Sequence, residues 1–334
     1  RDLACARNTT GNNIDVVKRM KEVWHRVVIL TGSGMSFQTS KAEEPLTLKG
    51  LVQSLLGRSG LTRAVGETNN EAIRRWEEAT EEAVQQQQMC AILNDGLSWA
   101  HMSGTAWEDL FKTGRPVVTE NYDLHAAVAM YWWKYSRVPP NEESLESVVL
   151  TWESRPEDIE GFFAGQHAGK VLYREGSILA RPGSPTGNYI LGGTRYANAV
   201  KTPTFDSITD ALRARPLFMV GCGGAADTAV IRSTICRWHL RAAREQLPET
   251  FRFVSAETLP LVGMLDVRFN GMYQEKKEFH NELKSLLSRL PQKPASAAGG
   301  TKTSRPAAST SREVAGDGKG VEGNVATVGK GEEG

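Results

Sequence analysis

Apolar positions along this chain fall into two alternating patterns. Short aliphatic runs occupy 26–31, 117–118, 170–174, 188–192, 216–221, 251–256 and 265–269, and each reads as a buried β-strand. Between them, apolar residues recur every three or four positions, as on one face of a helix. Asp15 starts one such stretch, which runs to Trp24 with Val16, Val17, Met20 and Val23 near one face. LKGLVQSLL after Pro45 is a second, and 69–93 is a long third with Ile73, Trp76, Thr80, Ala83, Val84 and Met89 in its stripe. Gln85 to Gln88 reads as the solvated face of that helix. Further helices are expected near 104–112, over 125–135, from Asp227 (Val230, Ile231, Thr234, Ile235 and Trp238 on one face) and over 275–290. The aromatics Tyr131, Trp132, Trp133 and Tyr135 read as core packing, with a nucleotide-stacking surface as the lesser alternative. The alternation predicts an α/β protein: a Rossmann-like doubly wound parallel sheet with a small inserted helical layer at about 45–112.

Composition sets the outer limits. Residues 1–13 are polar and read as frayed, and 14–290 as one domain. The tail 291–334, rich in Gly, Ala, Ser, Thr, Lys and Glu, has too little apolar surface to offset ordering entropy and reads as disordered. A net charge of +1 gives no electrostatic reason to expect nucleic acid or an anionic membrane. No apolar run approaches the roughly 20 residues of a membrane span, and the first residues hold no secretory apolar region. The sequence opens on Arg1 rather than Met, which leaves an upstream domain open. The four cysteines, Cys5, Cys90, Cys222 and Cys236, form no close pair, so no zinc site is expected. Scattered thiols suit a reducing, intracellular compartment, cytoplasmic in the first instance with the nucleus left open.

The candidate chemistry gathers where strands end. Gly32, Ser33 and Gly34 follow the first apolar run at once, and Met35 and Ser36 come next. Glycine lets a ligand approach the backbone, and amides at a helix N-terminus favour phosphate. The full GxGxxG spacing is absent because residue 37 is Phe, and no Lys-Ser/Thr pair completes a P-loop. After Val117-Val118 come Thr119, Glu120, Asn121, Tyr122, Asp123 and His125, six polar or ionisable residues at a strand's carboxyl end. Ligands of open α/β sheets bind at such ends. Gly221, Gly223, Gly224 and Asp227 make a second glycine-rich loop, which also reads as a plain strand-to-helix connection with Asp227 as N-cap.

These segments resemble a family. Gly-Ser-Gly-Met-Ser at 32–36 resembles the Gly-Ala-Gly-Ile-Ser loop of the sirtuins. Thr-Glu-Asn-Tyr-Asp-Leu-His at 119–125 is similar to their Thr-Gln-Asn-Ile-Asp-Gly-Leu-His, and more so to the Thr-Thr-Asn-Tyr-Asp of divergent sirtuin-like proteins. VLYREGSI at 171–178 resembles the strand-His-Gly-Ser element, and LFMVGCGGAADTAVIR at 217–232 the late strand, glycine loop and helix start. The resemblance spans roughly 27–270 and implies binding of NAD or ADP-ribose through 32–36, 119–123 and 221–224. It implies that Ser33 lies beside the phosphates, Asn121 at the ribose and Asp123 in the nicotinamide pocket. Gly221, Gly223, Gly224 and Asp227 would then lie against the adenosine half.

The chain also departs from that family. It lacks the Pro-Asp-Phe-Arg segment and the zinc module of the protein deacylases, and Glu175 stands where a His base is expected. A carboxylate is a weaker base than His near neutrality. Three readings of the site stand: Glu175 works as the base, another group such as His125 or His167 does, or catalysis is lost and binding persists. The functions that correspond are an NAD hydrolase with a defence or signalling role, an inert nucleotide-binding or interaction module, and, least favoured, a deacylase. Protein partners through the tail and a homo-oligomer remain open.

Overall fold

Seven short strands, β1 (Val28–Thr31), β2 (Val117–Thr119), β3 (Val149–Thr151), β4 (Val171–Tyr173), β5 (Leu217–Val220), β6 (Thr250–Ser255) and β7 (Leu265–Phe269), form one sheet. Their order is β3-β4-β2-β1-β5-β6-β7, and every pairing is parallel. The computed structural model describes residues 13–39, 46–95, 97, 105–180, 186–222, 248–258, 264–270 and 275–292. The helices among them are α1 (Asn13–Val23), α2 (Ser33–Thr39), α3 (Leu48–Arg58), α4 (Asn69–Ala79), α5 (Glu82–Leu93), α6 (Ala106–Lys112), α7 (His125–Tyr135), α8 (Pro156–Phe163), α9 (Gly193–Ala199), α10 (Pro203–Arg213) and α11 (Lys276–Ser288). The architecture is α/β and Rossmann-like.

The inner strands β1, β2, β4 and β5 are buried on both faces, as a parallel sheet covered by helices requires. In β1 the side chains alternate between two cores. Ile29 joins the larger one, with Trp24, Trp76, Trp107 and residues of α1, α3 to α7 and α11. Val28 and Leu30 join the smaller one, with Ile159 and Phe162 of α8 and Ile208 and Leu212 of α10. At the β7 edge, the Asn13 side chain donates to Arg268 O (2.8 Å) and accepts from Arg268 N (3.1 Å), standing in for one more strand residue.

The chain moves from β1 to β2, β3 and β4 on one side, then returns to lay β5 on the other side of β1. That reversal is a topological switch point, where the connections at strand carboxyl ends diverge and leave a crevice. The register makes those ends level. Thr31 pairs with both Thr119 and Val220, and Thr119 pairs with Tyr173. The loops after β1, β2, β4 and β5 therefore leave the sheet at one height.

Four expectations change. The first strand begins at Val28, because a 3-10 turn takes Trp24–Arg26. Residues 188–192 form no strand: they run extended along the loop after β4, with Ile190 N bonded to Glu175 O (2.7 Å). Val149–Thr151, outside the expected runs, forms β3, an edge strand too short to stand out by pattern. The stretch 69–93 is two helices broken at Thr80-Glu81, where both residues are extended. Gln85 Nε2 donates to Glu77 O (3.0 Å) and Thr80 O (2.7 Å), satisfying carbonyls at the end of α4.

The glutamine run is also not a solvated face. Gln85 and Gln86 are buried, and Gln88 Oε1 accepts from Trp76 Nε1 (2.8 Å) and Ser59 Oγ (3.1 Å). Gln86 reaches out of the helical layer: its Nε2 donates to Ile178 O (2.7 Å) and its Oε1 accepts from Gly187 N (2.9 Å). Among the described residues no helix is long and apolar enough to cross a membrane. The readings of 1–12 as frayed, of 293–334 as disordered and of a helix from Asp227 lie outside the described residues.

Candidate functional site

The loop after β1 is tight. Only Gly32 separates the strand from α2, which begins at Ser33. A Cβ on Gly32 would lie 2.7 Å from Gly221 O and 2.8 Å from Cys222 Cα, so the loops after β1 and β5 cross in contact. Three amides expected to face a phosphate are engaged by the protein: Gly32 N with Val220 O (3.2 Å), Gly34 N with Gly221 O (2.9 Å) and Met35 N with Gly32 O (2.9 Å). Met35 is fully buried, Ser36 is buried and Ser33 is half-buried.

The loop after β2 meets this one. Asn121 Nδ2 donates to Ser36 Oγ at 2.7 Å, a buried bond that joins residues 85 apart. Thr119 Oγ1 accepts from Asn121 N (3.2 Å), which fixes the direction of the Asn side chain. Asp123 is buried and its Oδ1 accepts from His125 N (3.0 Å), the first amide of α7. His125 is buried too, and burial pushes its pKa down against the pull of Asp123. His167 is not in this region. It lines a cleft with Arg115, Pro116 and Lys170, residues that precede β2 and β4, at the amino end of the sheet.

Glu175 follows β4, which neighbours β2, and it belongs to a cluster. Arg174 Nη1 lies 3.1 Å from Glu120 Oε1 and 3.8 Å from Glu175 Oε1, and the Tyr122 hydroxyl reaches Glu175 Oε2 (3.1 Å) and Ile190 O (2.9 Å). Burial raises the Glu120 pKa to about 7, opposed by Arg174 and reinforced by the charge of Glu175. Burial raises Glu175 as well, with Arg174 and the Tyr122 hydrogen bond opposing it. Tyr122 is held well above its ordinary value, by burial first and then by Glu175. Arg174 Nε is buried and meets no acceptor among the described residues.

The turn that carries Glu175 is fixed by Gly176. Its φ is +77°, and a Cβ there would collide with the Asn188 carbonyl. Asn188 Oδ1 accepts from Ser177 N (3.0 Å), and its Nδ2 donates to Thr151 Oγ1 and Glu153 Oε2 (both 2.7 Å). The backbone of the cluster is thus held from β3, β4 and the 187–191 segment together.

Of the residues singled out by sequence, Gly32 to Ser36, Thr119, Asn121, Asp123, Glu175 and Gly221 all stand at the carboxyl ends of β1, β2, β4 and β5. Gly223, Gly224 and Asp227 lie outside the described residues. No motif assigns a role to Arg174, Glu120 or Tyr122. The available signal is an acid in one strand-end loop and an Arg-Glu pair in another. Among the described residues no group of three or more His, Cys, Asp or Glu is placed to hold a metal ion.

Chemically, the region offers an amide and a hydroxyl at a fixed distance, a carboxylate pair about one guanidinium, and a phenol. No protein-family model and no curated protein matches the sequence. Among solved structures, one described as "Structural Basis for the Mechanism and Regulation of Sir2 Enzymes" aligns at 14% identity with a TM-score of 0.36, over 82% of this chain and 98% of that one.

Proposed function

We propose that this chain binds NAD at the carboxyl ends of β1, β2, β4 and β5 and hydrolyses its nicotinamide–ribose bond. The observation that carries the reading is the buried Ser36–Asn121 hydrogen bond of 2.7 Å, which joins the two most motif-like loops, with Glu175 in the loop that follows the adjoining strand β4. The residues fit such a ligand in one further respect: Arg174 Nε is a buried donor without an acceptor among the described residues. With the Gly32, Gly34 and Met35 amides engaged, phosphate contacts from this loop would fall to Ser33.

In the proposed step, Asn121 orients the ribose and the attacking water. The C–N bond to nicotinamide breaks, and its electron pair leaves on the nicotinamide nitrogen. The water oxygen bonds to the ribose carbon, and one of its protons passes to Glu175 and then to solvent. The products are ADP-ribose, nicotinamide and a proton. A base with a pKa near the working pH suits this step, and burial moves Glu175 in that direction.

A second reading, an NAD-binding module without turnover, is favoured by the engagement of Glu175 with Tyr122 and Arg174. One experiment separates the two. Full-length protein is titrated with NAD at up to millimolar concentration while thermal shift and free nicotinamide are followed. Hydrolysis predicts a shift and nicotinamide release. A shift alone supports the inert module, and neither signal overturns both.

A further inference from the structure

The proposed step needs one ionised carboxylate, and the structure supplies two. Glu120 and Glu175 flank the same Arg174 nitrogen, and all three side chains are nearly buried. Each surrounding element contributes a neighbour. From the β2 loop comes the Tyr122 hydroxyl on Glu175, and from the 187–191 segment the Ile190 carbonyl on that same hydroxyl. From α10 the Phe205 ring lies 5.8 Å from the guanidinium carbon. From the β5 loop comes the Cys222 thiol, held protonated by burial and then by the charge of Glu120. Arg252 of β6, whose charge acts on the Cys222 thiol, is bound by Asp266 of β7 through two bonds of 2.8 and 2.9 Å, and Asp266 also pairs with Arg268 of β7 (3.1 Å).

Two carboxylates and one guanidinium carry a net charge of −1 when all are ionised. In a poorly solvated region that charge is costly, and one proton removes it. We propose that Glu120 is a positioning residue for Glu175: the two carboxyl groups hold a single proton between them on Arg174, and Glu175 is free to act as a base only while Glu120 carries it. The role assigned to Glu175 rests on the hydrolysis reading, whereas the shared proton does not. The Tyr122 hydroxyl has one proton for two acceptors, Ile190 O and Glu175 Oε2, and it stabilises ionised Glu175 when that proton is turned to the carboxylate. Groups coupled this closely titrate in steps that belong to the pair.

The test uses the full chain, with glutamate side-chain carboxyl carbons labelled with ¹³C and titrated between about pH 5 and 9. Difference spectra against Glu175→Gln and Glu120→Gln assign the two signals. In wild type both are expected to move together in one step near neutrality. In Glu120→Gln, the isosteric amide still accepts from Arg174 but takes no proton. Arg174 then serves Glu175 alone, and the Glu175 signal should move to lower pH by about one unit or more. The acid limb of nicotinamide release should shift by the same amount. A wild type with no carboxyl step between about pH 6 and 8 overturns the proposal, as does a Glu175 titration unchanged in Glu120→Gln. If the carbon signals behave as expected and no nicotinamide is released, the shared proton stands and the hydrolysis reading falls.

Discussion

Asn121 holds the site together as much as it serves it. Its amide both donates and accepts, and one donor is already spent on Ser36. Asn121→Ala is expected to lower nicotinamide release by about 100-fold or more, the scale seen when a positioned hydrogen-bond donor is lost. Ser36→Ala should be milder and appear mainly in NAD affinity. Both are checked by initial rates and an NAD titration, with circular dichroism to confirm the fold. Asn121 was legible in the sequence because it stands in a dense polar run after a clear strand. The Glu120–Arg174 pair was not, because its partners are 54 residues apart and meet only through the pairing of Thr119 with Tyr173. Neither residue type is diagnostic alone; their neighbourhood is a property of the sheet order.

The elements followed the apolar pattern where they were long and amphipathic, as in α1, α3 and α11. They departed from it where side-chain hydrogen bonds decide the backbone. The α4–α5 break contains neither Gly nor Pro, so no local breaker marks it; Gln85 ends α4 by taking its last carbonyls. The 188–192 run is apolar enough to be a strand, but Asn188 and Ile190 hold it to the β4 loop. Trp76 joins both helices of the broken stretch, with its ring fully buried and its Nε1 on Gln88. Trp76→Ala is expected to cost about 3–5 kcal/mol, the range for truncating a large buried aromatic, measurable as a lower denaturant midpoint. Gln88→Leu should cost less, by leaving the indole N–H and the Ser59 hydroxyl without this acceptor.

For the whole molecule, buried groups shape stability against pH in opposite senses, Glu120 in one and His125 in the other. A carboxyl with a raised folded pKa holds a proton that the unfolded chain has lost. Stability therefore falls as pH rises from the unfolded value of 4.5 through about 7 for Glu120, and levels above it. His125, pushed down by burial, acts the other way: stability is lost as pH falls through its unfolded value of 6.5. The melting temperature of wild type minus that of Glu120→Gln should fall by roughly a few degrees as pH rises from 4.5 to about 7 and level above it. Glu120→Gln should keep the acid-side decline of His125, which melting curves at fixed ionic strength would record.

The Gln86 bridge bears on how a ligand gets in. A side chain of the inserted layer fills one rung of backbone pairing, bonded to both Ile178 and Gly187 beside the Glu175 turn. That layer is accordingly a wall and not a hinged door: swinging it aside would strand two buried backbone groups, each costing about 1–3 kcal/mol. Excursions of that size are rare and brief, so the Gly187 amide should exchange its hydrogen slowly, on the schedule of the sheet and not of a surface loop. Gln86→Leu keeps the bulk and removes both bonds. It should turn Gly187 into a fast-exchanging amide while leaving the β1 and β2 amides protected, and hydrogen-exchange mass spectrometry can watch that one rung come loose.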